Sequence, residues 1–302
     1  MLKIGLVNLD TSHVIAFSQR LHHKGVDEGQ WVDGAVTTHA WRGQSNVRTP
    51  EQVEEYAQQL KNDFGITLVD NLEDMIDQVD GVCIEANEGW RHLELAKPFI
   101  KAGKHCFVDK PFTSNYAEAK QLVELAKETG AGLMSCSSLR WSDELLEFCD
   151  EHAGHITGVD AITPSPYHWA NPGLLHYGIH GVEILFAVMG VGCQDVRSLS
   201  LADQEFCVGR WGDGRIGTLR GCHNGPWTYA FRATTTTPDK AGVFTVPINA
   251  ANIYRNMLRE MVNFFGTGVS QVPVEQTLEI MGFMDAALAS AKMSGLPAAM
   301  PW

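Results

Sequence analysis

The stretch Lys104-His105-Cys106-Phe107-Val108-Asp109-Lys110-Pro111-Phe112 indicates the fold of this 302-residue chain. Its apolar run predicts a buried strand that ends in an Asp-Lys-Pro turn, and Ser114 is the predicted N-cap of a helix at about 115–128. A lysine at the carboxyl end of a strand in an α/β sheet lies at the crevice where such folds bind ligands. Pro111 restricts the backbone of Lys110, so the direction of its ammonium group is predicted to be fixed.

The segment Ala102–Pro111 resembles the "AGKHV-EKP" signature of the Gfo/Idh/MocA family of nicotinamide-dependent sugar and polyol oxidoreductases. The similarity extends over nearly the whole chain, and its landmarks follow the family's order. The resemblance implies an α/β fold: an N-terminal Rossmann-type doubly wound parallel sheet, then a C-terminal α/β domain with a largely antiparallel open sheet. It also implies NADP or NAD as cofactor, with Asp109, Lys110 and Pro111 beside it. The implied substrate is a sugar, inositol or related polyol, held between the domains.

Composition excludes several classes of protein. A formal charge of -13 argues against nucleic acid or an anionic membrane as a partner. Every apolar run is shorter than the roughly 18 residues of a membrane helix. The N-terminus runs directly into a predicted strand and leaves no room for a signal peptide, so a cytoplasmic location is expected. The seven cysteines form no CxxC pair and are predicted to be reduced, buried thiols.

Patterns along the chain predict two domains. Up to residue 138 strands alternate with helices, which predicts a parallel sheet with right-handed crossovers and a dinucleotide-binding domain at 1–138. The remainder, 139–302, is predicted to carry the substrate and the oligomer contacts. Consecutive strand-like segments separated by turns at Gly212-Asp213-Gly214 and Asn224-Gly225 predict a mainly antiparallel sheet there. Because relatives often dimerise through this sheet, a homodimer or homotetramer is expected.

The first strand–turn–helix departs from the family pattern. Alignment places Asn8, Asp10 and His13 where the three glycines of GxGxxG would stand. Asn8 tolerates unusual backbone angles, whereas the Asp10 carboxylate should repel a diphosphate that the helix N-terminus attracts. Thr11 or Ser12 is the predicted N-cap. The turn has three readings: a plain capping turn, a modified cofactor loop in which all five residues contact the dinucleotide, or a site that has lost its cofactor.

Two further loops are predicted to touch the cofactor. The end of the second strand offers no acid for the ribose hydroxyls, and Arg42 and Ser45 suit a 2′-phosphate, which slightly favours NADP over NAD. The loop around Asn87 and His92 corresponds to the family's "ATPNxxH" segment, with His92 on its histidine. A solvated loop and a packed, helix-capping histidine are the alternatives.

The candidate catalytic pair lies at 171–183, which resembles the family's "GGG-L-D-G-H-D" segment. His180 falls on the histidine and His176 on the aspartate that stand beside the substrate. A spacing of four places both on one side if the segment is helical. His180 is the predicted acid/base, because a histidine pKa lies near neutrality, and Lys110 would stabilise the alkoxide or carbonyl oxygen. His176 is also a predicted substrate contact.

A wall for the substrate is predicted from four more residues: Arg140, Tyr167, His168 and Trp169. Arg140-Trp141 resembles the family's "R-[FY]" at the domain junction, where the arginine often reaches the substrate. Aromatic rings suit stacking on a sugar face, and core packing explains them equally well.

Two rival hypotheses accompany the oxidoreductase. One is a non-redox binding or regulatory relative whose altered turn no longer takes a dinucleotide. The other is a metal-dependent lyase, isomerase or hydrolase that uses the His176/His180 cleft. Its candidate ligands are His168, His176, His180 and Glu183, with His13 as a further candidate, but no complete metal motif is present and no metal is assigned.

Overall fold

A computed structural model describes residues 1–236 and 242–302. The chain divides into two compact units, one formed by Met1–Cys136 with Tyr254–Val274, and the other by Ser137–Ile253 with Glu275–Trp302. The predicted second domain, 139–302, includes 254–274, but this segment packs with the first unit. An apolar contact shows why: a Cβ on Gly81 would lie 2.4 Å from the ring of Phe265, so the helix sits directly against the first sheet.

In chain order the strands are β1 (Leu2–Val7), β2 (Ala35–Trp41), β3 (Thr67–Val69), β4 (Gly81–Ile84), β5 (His105–Val108), β6 (Leu133–Met134), β7 (Ile156–Pro164), β8 (Cys193–Ser200), β9 (Gln204–Trp211), β10 (Ile216–Cys222), β11 (Ala230–Thr235), β12 (Gly242–Pro247) and β13 (Ala298–Ala299). Strands of the first unit such as β1 and β4 are buried in continuous runs, as expected for a sheet covered on both faces. Strands β9 and β10 of the second unit alternate in burial, as expected for a sheet covered on one face. Neither β12 nor β13 is predicted from the sequence.

The helices include the one predicted at about 115–128. They are α1 (His13–Leu21), α2 (Pro50–Phe64), α3 (His92–Lys101), α4 (Tyr116–Thr129), α5 (Asp143–His152), α6 (Gly178–Met189), α7 (Ile253–Thr267) and α8 (Val274–Lys292). The predicted N-cap of α4 is wrong by one residue. Asn115, not Ser114, accepts the backbone N–H of Glu118, while the Ser114 hydroxyl bonds the Glu118 side chain. No helix in the described part of the chain combines the length and apolar character needed to span a bilayer.

The first unit contains a parallel sheet of order β3-β2-β1-β4-β5-β6, as predicted. The order reverses between β1 and β4, which is the position at which doubly wound sheets bind ligands. Hydrogen bonds continue the ladder one residue beyond the strands. Asn8 donates its N–H to Trp41, Glu85 to Val7, and Asp109 to Ile84. The residues that follow β1, β4 and β5 are therefore held side by side at one edge.

The second unit contains a mixed sheet of order β12-β11-β7-β10-β9-β8-β13 within the described residues. Its pairs are antiparallel except β7 with β10, so the prediction of a largely antiparallel sheet is confirmed. Helix α6 is buried nearly all round and packs closely on this sheet. A Cβ on Gly181 would lie 2.2 Å from Leu219 of β10, so only glycine permits this approach.

The other face of the second sheet is exposed. One row crosses β7, β10, β9 and β8 in register and consists of Ile162, Arg220, Phe206 and Leu199. Ile162 and Leu199 are 43% and 50% exposed, and the Arg220 guanidinium lies over the Phe206 ring. This face therefore presents large apolar side chains among arginines, whereas the opposite face is buried.

Candidate functional site

The turn after β1 keeps the backbone shape of a glycine turn without the glycine. Asn8 has φ of 72°, in the left-handed region, and its side-chain carbonyl accepts the N–H of Gln44. Gly43 makes this contact possible, since a Cβ there would lie 1.8 Å from Asn8 Oδ1. The turn after β1 is thus tied directly to the loop after β2.

Asp10 faces the interior. Its Oδ1 accepts the backbone N–H of Asn87 at 3.0 Å, and the Asn87 side chain donates to the Asp10 carbonyl. Oδ2 of Asp10 is buried with no hydrogen-bond partner. Burial raises the pKa of Asp10, against the hydrogen bonds from Ser45, Asn87 and Asn8. The predicted cofactor residues Asn8, Asp10 and Asn87 therefore belong to one bonded group.

Helix α1 begins beside this turn with Ser12 in the N-cap position, which is one of the two residues predicted for it. The Ser12 side chain makes no capping bond, and Thr11 accepts only a long bond, 3.4 Å, from the His13 N–H. The predicted cap position is therefore confirmed, but neither hydroxyl makes a strong capping bond.

His13 is brought against two acids from neighbouring strand ends. Its Nδ1 lies 2.9 Å from Asp109 Oδ2 and 3.5 Å from Glu85 Oε2. Burial would lower the pKa of His13, but the charges of Asp109 and Glu85 outweigh it and raise the pKa to about 9. Burial raises the pKa of Glu85 to about 7, against the pull of His13. Burial also opposes ionisation of Asp109, yet the charges of His13 and Lys110 hold its pKa below the usual range.

His92 links two of the loops. It is fully buried, with Nδ1 2.8 Å from the Pro111 carbonyl and Nε2 2.7 Å from the Ala86 carbonyl. Lys110 and Pro111 follow β5 at the same edge. His92 therefore joins the loop after β4 to the Lys110–Pro111 turn, so it positions other residues as well as packing.

A cavity of about 470 Å³ opens at the end of β2, and Arg42, Ser45, Arg48, Glu54 and Arg91 are among its lining residues. Two of its arginines are paired: Arg42 Nε lies 2.6 Å from Glu54, and Arg91 Nε lies 2.9 Å from Glu88. Arg48 Nε is buried with no hydrogen-bond partner. The cavity therefore places a guanidinium with an unpaired Nε among hydroxyl and backbone groups, a combination that is suited to an anion.

In the second unit, His180 is oriented by Ser137. The Ser137 hydroxyl and His180 Nδ1 are 2.6 Å apart, and the Tyr177 and Tyr229 rings lie 5.4 and 5.6 Å from the imidazole. Trp227 packs edge-on against Tyr177. A buried histidine of fixed orientation within an aromatic wall is suited to proton transfer beside a sugar ring.

The expectation that His176 shares a helix face with His180 is wrong. Helix α6 starts at Gly178, and His176 precedes it with φ −75° and ψ −83°. Its ring stacks on His168 instead, with centroids 4.2 Å apart. Gly173 has φ of 59° and begins a short 3-10 turn. This turn changes the direction of the chain before α6 starts.

Arg140 is buried and bound to Glu183, with Nε 2.8 Å from the carboxylate. Burial raises the pKa of Glu183, and Arg140 opposes that rise. Tyr167 and Trp169 are largely exposed, and Tyr167 stacks on His223. The predicted ligands His180 and Glu183 are thus engaged with Ser137 and Arg140. In residues 1–236 and 242–302 the histidine–acid group with metal-ligand spacing is His13, Glu85 and Asp109 instead.

Sequence reasoning missed several of these residues. Glu85 is not among the predicted site residues, although its place directly after β4 is a usable signal. Arg48 and Glu54 lie beyond Ser45, which is the last residue predicted for the loop after β2. Ser137 gives no signal in sequence, because only tertiary packing sets it against His180.

The fold and site define a protein with a Rossmann-type unit followed by a mixed-sheet unit. A family model described as "Oxidoreductase family, NAD-binding Rossmann fold" (GFO_IDH_MocA) matches residues 40–136. Residues 40–136 therefore resemble the Gfo/Idh/MocA family of oxidoreductases.

Similar proteins agree with this family. The uncharacterized oxidoreductase YdgJ of Escherichia coli K12 is 44% identical over 55 residues, which is 18% of this chain and 16% of that protein. The apo scyllo-inositol dehydrogenase of Lactobacillus casei has a TM-score of 0.80 at 14% identity, covering 100% of this chain and 99% of that one. GenD2 from gentamicin A biosynthesis, solved in complex with NAD, has a TM-score of 0.79 at 16% identity, covering 100% and 97%. At these identities the structural likeness shows the fold.

Proposed function

We propose that this protein is an NAD(P)-dependent oxidoreductase that transfers hydride to or from a secondary alcohol of a sugar, inositol or related polyol. The observation that carries the proposal is the arginine-lined cavity at the end of β2, beside a turn that keeps a left-handed residue at Asn8. This is the edge of the sheet at which doubly wound folds bind dinucleotides. The family and the named dehydrogenases support the same class of reaction.

The adenosine end and the diphosphate of a dinucleotide fit this edge of the sheet to different degrees. The cavity suits the adenosine end, because Arg48 and Arg42 can meet a 2′-phosphate and Ser45 can bond it. The turn suits a diphosphate less well, because Asp10 and Asp109 add carboxylates where glycines leave backbone N–H groups open. NADP is therefore favoured over NAD, with most of its binding at the adenosine end.

The nicotinamide supplies the hydride chemistry when bound, and the chain's own residues supply orientation and proton transfer. We assign proton transfer at the substrate hydroxyl to His180, whose ring orientation is fixed by Ser137. Lys110 follows Asp109 at the end of β5, and we assign to its ammonium group the stabilisation of the alkoxide or carbonyl oxygen. His92 holds the Pro111 carbonyl and so acts as a positioning residue for Lys110.

Nucleotide binding is the first test. Calorimetric titration of the apo protein with NADP, NADPH, NAD and NADH is expected to show micromolar binding, tightest for the phosphorylated forms. Arg42→Ala and Arg48→Ala should weaken NADP binding roughly 10- to 100-fold, the effect of a lost charged hydrogen bond, and NAD binding little. Equal effects on the two nucleotides would show that these arginines do not recognise the phosphate.

Turnover is the second test. With a polyol found by nicotinamide absorbance, Lys110→Ala and His180→Ala should abolish turnover and leave nucleotide affinity largely unchanged. His23→Ala, at a histidine paired with Asp33 away from these residues, is the matched control. Full activity of either variant would refute its catalytic assignment.

One observation favours a second candidate function, a non-redox binding protein of the same family. The carboxylates of Asp10, Glu85 and Asp109 are all buried at the turn where a diphosphate would bind. If none of the four nucleotides binds the folded protein, this candidate replaces the oxidoreductase.

We also propose that the protein is a homodimer or homotetramer through the exposed face of the second sheet. The support is the row of Ile162, Arg220, Phe206 and Leu199 described above, because large exposed apolar side chains in one patch are typical of an interaction surface.

A further inference from the structure

The carboxyl edge of the first sheet holds three side chains whose ligand atoms converge. Glu85 follows β4, Asp109 follows β5, and His13 begins α1. One ligand atom from each lies within 4.8 Å of the other two. The three residues come from separate strand ends and a helix start, so the parallel sheet itself fixes their convergence.

These groups are in contact with one another as ion pairs, but several of their atoms make no aligned hydrogen bond. Neither carboxylate oxygen of Glu85 makes a hydrogen bond, although its side chain is fully buried. His13 Nδ1 lies 2.9 Å from Asp109 but without the alignment of a hydrogen bond. A buried carboxylate that lacks hydrogen bonds costs roughly 1–3 kcal/mol or more. Such a group indicates a ligand that supplies positive charge.

We propose that His13, Glu85 and Asp109 form a mononuclear site for a divalent transition-metal cation such as Zn²⁺ or Mn²⁺. One imidazole and two carboxylates are suitable ligands for these ions. Ligand atoms about 2.1 Å from a tetrahedral ion are about 3.4 Å apart, and the His13–Glu85 separation of 3.5 Å is close to that value. The His13–Asp109 separation of 2.9 Å would widen slightly.

The site has an open position on the side of its most exposed ligand. The His13 side chain is 14% exposed, whereas those of Glu85 and Asp109 are 0% and 6% exposed, so the imidazole is the ligand nearest to solvent. Three protein ligands leave room for a fourth from solvent or a bound molecule, as in catalytic rather than structural metal sites. Without an ion, the positive charges of His13 and Lys110 balance the acids, and this is the alternative that the test must exclude.

The experiment uses untagged full-length protein that has been treated with a chelator and dialysed. Zn²⁺ affinity and stoichiometry are measured by competition with a chromophoric chelator, and Co²⁺ is added separately to record visible absorption from a low-symmetry site. The variants Glu85→Gln, Asp109→Asn and His13→Gln remove one ligand each with little change of shape. Glu205→Gln, at another buried acid far along the chain, and His22→Gln are the controls. Circular dichroism checks that each variant is folded.

We expect the wild type to bind one Zn²⁺ per chain and to gain a Co²⁺ band. Each ligand variant should lose affinity by at least roughly 100-fold, since loss of an outer-shell partner alone costs about 10- to 100-fold. The controls should bind as the wild type does. No binding by the wild type, or equal binding in wild type and all three ligand variants, would overturn the proposal and leave an internal ion-pair network. The measurement needs no nucleotide and no turnover, so it stands apart from the test of the oxidoreductase.

Discussion

Replacement of Gly43 by alanine tests the link between the turn after β1 and the loop after β2. Gly43 has φ of 72°, and an added Cβ would lie 1.8 Å from Asn8 Oδ1 and 2.9 Å from Asn8 Cα. The Asn8 side chain must then move away, and its bond to the Gln44 N–H is lost. Rotation of the Asn8 side chain can move Oδ1 away, but Asn8 Cα belongs to the backbone, so the rotation relieves only part of the clash.

Two terms contribute to the expected loss of stability. An alanine in the left-handed region costs about 1–2 kcal/mol. Forcing a methyl group into occupied space adds about 1–3 kcal/mol, which includes loss of the Asn8–Gln44 hydrogen bond. Gly43→Ala should therefore lower the free energy of unfolding by about 2–5 kcal/mol.

A matched variant separates the two terms. Gly65 ends α2 with φ of 70° and has no atom within 4 Å of an added Cβ, so Gly65→Ala has only the backbone cost. Urea unfolding followed by tryptophan fluorescence should place Gly43→Ala about 1–3 kcal/mol below Gly65→Ala. The double variant Asn8→Gly/Gly43→Ala should recover part of this difference, because Asn8 Cα still lies close.

Equal losses for Gly43→Ala and Gly65→Ala would refute the reasoning, since the clash with Asn8 would then cost nothing. No recovery in the double variant would show that another group opposes the methyl. Calorimetry with NADPH on the same proteins adds a functional readout. We expect Gly43→Ala to weaken binding because Gly43 lines the arginine cavity.

Two further predictions concern the second unit. Glu183→Ala should destabilise the protein by about 3–5 kcal/mol, because it leaves the buried Arg140 guanidinium without its partner. The double variant Glu183→Leu/Arg140→Met should recover most of that stability, as measured by urea unfolding. A single-variant loss below about 1 kcal/mol would contradict the role of this pair. The double variant Ile162→Glu/Leu199→Glu should convert the proposed oligomer to monomers, because four charges or more would face each other across the interface. Sedimentation velocity measures this change, and unchanged sedimentation would exclude this face as the interface.

Local sequence pattern predicted the elements well where its signals were strong. The helix at 50–64 has strong local signals, because Thr49, Pro50 and Gly65 supply a capping box, a first-turn proline and a left-handed cap. The alternation of strands and helices up to residue 138 correctly predicted the parallel sheet of the first unit. Strand β12 was missed because it lies beyond the predicted hairpins, and β13 was missed because it is short. Each is stabilised by pairing with a neighbouring strand, β12 with β11 and β13 with β8.

The candidate site was only partly predictable. The signature around Lys110 and the altered turn at Asn8, Asp10 and His13 can be read directly from the chain. The spacing of His176 and His180 suggested one helix face, but the chain turns between them and pairs His176 with His168. A spacing argument holds only where the helix continues, and the helix start is set by packing against the sheet.

The sequence by itself determined the two sheets and the edge at which chemistry is expected, because these depend on local patterns and on a motif contiguous in the chain. Only the tertiary structure decided which polar groups meet. His13, Glu85 and Asp109 are separated by 72 and 24 positions in sequence, and the register of parallel strands brings them within 4.8 Å. Ser137 reaches His180, and Arg140 reaches Glu183, across 43 positions each. Contacts of this kind depend on how strands and helices pack, which no local pattern records.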